Sequence, residues 1–163
     1  MSGRRKVISV IGPGDCTADQ ARAAEAVGRG LALAGAVLVC GGRGGVMEAA
    51  CRGAQSAGGL TIGILPGDGY AGANDFLSVA LPSGLGHARN ALVALAGEAV
   101  IAIGGEAGTL SEIGLAVKNG RRVVGLDSWE CRRADGTGLA IRRAKTPEEA
   151  VAAALERGGA EES

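Results

Sequence analysis

The run Gly104-Gly105-Glu106-Ala107-Gly108-Thr109-Leu110-Ser111-Glu112 follows an apolar strand and combines glycines with a hydroxyl and a carboxylate at the start of a predicted helix. The unpaired amide N–H groups of a helix start attract phosphate or carboxylate, and glycine lets such a group come close. A phosphate seated on the amides around Gly104, Gly105, Glu106 and Gly108 would accept a hydrogen bond from Thr109. A second role stays open, because Thr109 and Glu112 also have the spacing of a capping box, in which Glu112 satisfies a backbone donor.

Two earlier apolar runs break into glycines in the same way. In Gly12-Pro13-Gly14, the glycines either touch a ligand or make a tight strand-to-helix connection. In Gly41-Gly42-Arg43-Gly44-Gly45 there are more glycines than chain reversal requires, and each carries an entropic cost of up to about 1 kcal/mol. Arg43 is either a bidentate anion clamp or a solvated loop charge. A fourth segment, Ser83 to Asn90, holds the single histidine, His87, and sets Arg89 in the first turn of a predicted helix beside Asn90. The helix dipole disfavours a cation there unless an anion is close, which points Arg89 at a ligand. His87 reads as a polar residue at the loop or helix start, or as part of that site, since no nucleophile is paired with it.

Several chemistries lack their residues. The first turn has no third glycine, and the second strand ends at Cys40 instead of an acidic residue, so NAD and FAD are not expected. The P-loop pattern is absent. Cys16, Cys40, Cys51 and Cys131 form no C-x-x-C pair and no zinc spacing, so no metal site is expected and the thiols are read as reduced. With 17 basic and 17 acidic residues there is no field to draw a polyanion, and nucleic acid is not an expected partner. The apolar stretches are too short for a signal peptide or a membrane span, so the expected location is the cytoplasm with no membrane partner.

Strands predicted at Val7–Ile11, Val37–Cys40, Thr61–Leu65, Phe76–Ala80, Ala99–Ile103, Val123–Leu126 and Leu139–Arg142 alternate with helical segments. The helices are expected from Thr17 to about Ala34, Val46 to Ala57, His87 to Ala96, Thr109 to Asn119, and after Thr146-Pro147-Glu148-Glu149. Such alternation implies right-handed crossovers and an α/β three-layer Rossmann-like sandwich with a mainly parallel central sheet. At 163 residues the chain reads as one domain, with a core over about residues 6–157 and frayed termini. Asp127 to Arg143 carries no interpretable motif.

GGEAGTLSE, GLGHARN and CGGRGGVMEAA together resemble the Lonely Guy superfamily, once called lysine-decarboxylase-like, over about Val7 to Leu126. Enzymes of that superfamily remove ribose 5-monophosphate from cytokinin nucleotides. Their P-G-G-x-G-T-x-x-E pattern and upstream Arg-Lys fall on Gly104 to Glu112 and on Arg89-Asn90. This chain departs at three of those places: Gly104 replaces the proline, Glu106 the second glycine and Asn90 the lysine. Those departures resemble the molybdenum cofactor carrier branch, with its Ala-Arg-Asn helix start and its Gly-Gly-x-x-Gly-Thr-Leu-Ser-Glu turn.

The branch resemblance implies a protein that holds a phosphorylated pterin, the molybdenum cofactor, and delivers it without chemistry. The superfamily resemblance implies the alternative, an N-ribosyl hydrolase acting on nucleoside 5'-monophosphates and releasing ribose 5-phosphate. In that case Arg89 would anchor the 5-phosphate, and Glu112 would stabilise the ribosyl transition state or activate water. Relatives also imply a homo-oligomer, dimer or tetramer, with an aliphatic surface near Leu92 and Leu115.

Overall fold

In the computed structural model, which describes residues 3–157, all seven expected strands join one sheet. They are β1 (Val7–Ile11), β2 (Val37–Cys40), β3 (Leu60–Leu65), β4 (Val79–Pro82), β5 (Ala99–Ile103), β6 (Arg122–Leu126) and β7 (Ile141–Ala144). Their order is β4-β3-β2-β1-β5-β6-β7, and every neighbouring pair runs parallel. The helices are α1 (Ala18–Leu33), α2 (Val46–Ser56), α3 (Arg89–Ala96), α4 (Ala107–Lys118) and α5 (Pro147–Leu155). The expected α/β three-layer sandwich is therefore the observed one, with a sheet more uniformly parallel than anticipated. The frayed tail expected from position 158 lies outside the described residues.

Alternation along the strands feeds two aliphatic cores. Ile8, Val10, Leu38, Ile101 and Ile103 pack with Val27 and Leu31 of α1, Val46 of α2 and Ala150 of α5. On the other face Ile11, Val100 and Ala102 pack with Val93 of α3 and Ile113 of α4. Each fully buried Val, Leu or Ile contributes roughly 1.5–3 kcal/mol. The helix pair α1/α2 approaches closely because Gly28 and Gly53 lack side chains, and a Cβ on either would run into the Ala50 or Glu25 carbonyl.

Two strands sit later than expected. Phe76 is held by side-chain bonds instead of a ladder: the Thr61 hydroxyl donates to the Phe76 carbonyl at 2.6 Å, and the Asn74 side chain accepts from the Phe76 amide at 3.0 Å. Leu77 fills the space over Gly63. Regular pairing starts only at Val79, opposite Ile62. Likewise the Leu139 amide donates to the Cys131 carbonyl at 2.8 Å inside the preceding loop, so β7 begins at Ile141 rather than Leu139.

Sequence order runs outward from β1 to β4 and then returns to place β5 against the other side of β1. That reversal is the switch point at which open parallel sheets bind ligands, outside the carboxyl ends of their strands. The first and third glycine turns leave β1 and β5 there. No helix among the described residues is long and apolar enough to cross a membrane.

Candidate functional site

A cavity of about 160 Å³ opens at the β1/β5 switch point. Gly12, Pro13 and Gly14 wall one side, Gly41 and Met47 the floor of another, and His87, Arg89 and Asn90 a third. Glu106, Gly108, Thr109 and Glu112 of the β5–α4 turn complete it. Segments far apart in the chain thus share one space. Gly42, Arg43, Gly44, Gly45, Gly104 and Gly105 do not line it.

The helix starts around this cavity are not equivalent. Thr17 and Gln20 form a reciprocal capping box that satisfies α1 internally, with the Gln20 amide donating to the Thr17 hydroxyl at 3.2 Å. The first amide of α2, on Val46, donates to the Pro13 carbonyl at 3.1 Å. The starts of α3 and α4 both reach the cavity without a side-chain cap, but the Arg89 amide at the start of α3 is satisfied within the preceding 3-10 turn by the carbonyls of Gly86 and His87, which leaves α4 as the open one. The expectation of several converging anion-binding termini therefore narrows to one.

The start of α4 also corrects the capping-box reading. Gly104 and Gly105 adopt φ of 60° and 145°, which only glycine takes readily, and they let Glu106 become the extended N-cap. The helix begins at Ala107, two residues before Thr109, so Thr109 is not the cap and Glu112 does not reach back to it. The first intrahelical bond runs from the Leu110 amide to the Glu106 carbonyl at 3.0 Å. The amides of Ala107, Gly108 and Thr109 have no acceptor within the helix. Both Thr109 (3 % exposed) and Glu112 (7 % exposed) turn inward, onto the cavity.

Arg89 stands at the start of α3, after a 3-10 turn over Gly86–Ala88, rather than inside a helix beginning at His87. Its Nε is buried and has no hydrogen-bond partner. Burial lowers its pKa, the Glu112 carboxylate raises it and Arg43 lowers it. Across the cavity, desolvation lifts the Glu112 pKa to about 7 against the pull of Arg89. Among the described residues no direct ion pair closes the two groups together. A half-buried cation with a buried free donor, an uncapped helix start and a carboxyl poised near neutrality form an arrangement suited to an anion carrying further polar groups.

Arg43 is exposed and lies over Gly72, away from the cavity lining, while the Asn74 side chain donates to its carbonyl at 2.9 Å. Of its four flanking glycines, Gly41, Gly42 and Gly45 answer to close packing, whereas Gly44 has only ordinary contacts. A Cβ at Gly42 would lie 2.7 Å from Leu65 Cδ2, and one at Gly45 would overlap the Pro13 carbonyl. Cys40 and Cys51 lie 3.5 Å apart as free, buried thiols just behind this turn. Among the described residues no group of three or more His, Cys, Asp or Glu side chains could hold a metal ion.

Trp129 carried no signal in the sequence, yet it belongs to this edge of the sheet. Its indole N–H donates to the Glu106 carbonyl at 3.3 Å, and the Ser128 hydroxyl donates to the Gly104 carbonyl at 2.5 Å. A Cβ at Gly105 would lie 2.9 Å from the indole, so that glycine accommodates the ring. No local pattern announces a loop that becomes meaningful only by docking on a turn 23 residues earlier.

An α/β sandwich with this strand order defines a Rossmann-like class. The chain belongs to the SLOG cluster4 family, whose model matches residues 5–152. It is 42% identical over 144 residues to an uncharacterized protein of Archaeoglobus fulgidus, covering 88% of this chain and 91% of that one. Its fold is similar to that of the molybdenum cofactor binding protein of Rippkaea orientalis, with a TM-score of 0.83 and 38% identity over 93% of this chain and 96% of that one. The molybdenum cofactor carrier protein of Chlamydomonas reinhardtii is similar at a TM-score of 0.79 and 32% identity, over 92% and 96% of the two chains.

Proposed function

We propose that this chain is a carrier or storage protein for the molybdenum cofactor, holding the phosphate end of the pterin at the start of α4. The observation that carries this reading is the Arg89 guanidinium, with its buried, unpartnered Nε, on the same cavity as the uncapped α4 amides. The names of the similar structures from Rippkaea orientalis and Chlamydomonas reinhardtii support the choice of cargo. In this reading Arg89, seated over Gly41, and the amides of Gly108 and Thr109 take the phosphate, while Gly14, open on its side-chain side, lets it approach the backbone. Asn90, His87 and Glu106 supply polar contacts, and Glu112 bonds a hydroxyl or ring nitrogen.

Protein purified from a cofactor-producing host should carry molybdopterin, detected by its fluorescence after oxidation. Its absence there would count against carriage. Self-association into a dimer or tetramer is part of the same proposal, supported by Leu92, 44 % exposed on α3, whereas Leu115 is half-buried in the core of its own chain. The molar mass in solution by light scattering tests it.

Glu112 favours one second reading. A buried carboxyl titrating near 7 is suited to general acid–base work on a nucleoside 5'-monophosphate whose phosphate sits on Arg89. Steady release of ribose 5-phosphate from AMP or a cytokinin monophosphate, abolished by Glu112→Gln, would place hydrolysis ahead of carriage.

A further inference from the structure

The switch-point cavity, at about 160 Å³, accommodates a phosphate and its nearest atoms but falls short of the roughly 300 Å³ at which sites for whole cofactor-sized ligands begin. A larger cleft, about 550 Å³, lies next to it along the same sheet edge, between the ends of β6 and β7. Trp129 lines this cleft, 39 % exposed, and its bond to the Glu106 carbonyl joins it to the wall of the first cavity. Arg143 and Lys145 also line it, opposite Asp127 and Ser128. Arg143 is paired with Glu130 at 2.5 Å, whereas Lys145 has no ion-pair partner among the described residues.

We infer that the β6–β7 cleft is a second subsite that receives a planar heteroaromatic ring with an acceptor edge, stacked on Trp129 and bonded by Lys145, while the phosphate occupies the first cavity. This rests on the phosphate-binding reading above. An indole offers a large rigid face whose position is fixed here by its N–H bond and by the contact with Gly105. Ring carbonyls and ring nitrogens of purines and pterins accept from Lys and Arg. Asp127, the opposing carboxylate, disfavours a ring bearing negative charge at that corner and favours one that also presents an amine.

Guanosine 5'-monophosphate and ribose 5-phosphate separate the two subsites, since only the first has a ring. Trp129 is the single tryptophan of the chain, so its fluorescence reports the cleft directly. Guanosine 5'-monophosphate should quench it, and ribose 5-phosphate should bind without doing so. By calorimetry, Trp129→Ala should weaken the nucleotide about tenfold more than it weakens ribose 5-phosphate, with Trp129→Phe restoring most of that difference. Lys145→Ala should weaken the nucleotide a few fold.

Nucleotide binding at wild-type strength in both alanine variants, with fluorescence unmoved in the parent, would overturn the subsite while ribose 5-phosphate binding still stood. Failure of the parent protein to bind ribose 5-phosphate at all would instead overturn the phosphate pocket, and the ring subsite with it.

Discussion

Gly41 lies directly behind the guanidinium of Arg89: a Cβ at position 41 would overlap Nη1 and come within 3.0 Å of Cζ. The glycine at the end of β2 is therefore the seat of a cation that arrives from α3, 48 residues later by numbering (89 minus 41). Gly41→Ala should push the guanidinium out of place and weaken ribose 5-phosphate binding by about tenfold or more, approaching the loss in Arg89→Ala. The crowding should also lower stability by about 1–3 kcal/mol in denaturant titration. An unchanged affinity would separate Arg89 from the anion.

Arg89 is held at the expense of a buried donor left unpaired. Arg89→Met should accordingly cost about 2–5 kcal/mol of affinity for a phosphate compound. Its denaturation midpoint should stay level or rise, because the unmatched polar group is gone. Calorimetry and urea unfolding on the same preparation check the two halves, and a strongly lowered midpoint would mark Arg89 as structural.

Glu112 gives a pH test with a definite sign. Its pKa stands at about 7 in the fold against an ordinary 4.5, so folding favours the protonated carboxyl. The stability that preference contributes is complete below pH 4.5 and is lost as pH rises through 7. Glutamine mimics the protonated form at every pH. Glu112→Gln should thus match the parent near pH 4.5 and exceed it by roughly 2–3 kcal/mol at pH 8. A difference that does not vary with pH would mean Glu112 is solvated, and one that shrinks or reverses as pH rises would mean it is ion-paired.

Ser9, wholly buried on β1, donates to the Val93 carbonyl at 2.6 Å and accepts from the Gly97 amide at 2.9 Å. It ties the end of α3, and through that helix Arg89, to the centre of the sheet. Ser9→Ala should leave the Gly97 amide without an acceptor and lower stability by about 1–3 kcal/mol. Faster amide exchange confined to α3 would identify the tie as the cause.

The architecture was legible because its signals are local. The mostly apolar β1, the fully apolar β2 and β5, the Thr17 and Thr146 caps and the glycine punctuation all belong to single elements. The offsets at β4 and β7 arose where bonds from outside the element decide, as when Thr61 takes hold of Phe76. Within the site, spacing could not separate a capping Thr109 from an inward-facing one, since the answer depends on Gly104 and Gly105 starting the helix early. Arg43 illustrates the converse: a cation among glycines resembles an anion clamp until Leu65 and Pro13 show why those glycines are small. Trp129 was beyond reach because its meaning is a contact between two loops.

The helices flanking the sheet are unequally anchored. The α1/α2 seam is set by Gly28 and Gly53, which bring backbone against backbone and leave no side chain able to swing aside. Any side chain at either position would have to part the two helices, so this seam tolerates nothing larger than hydrogen.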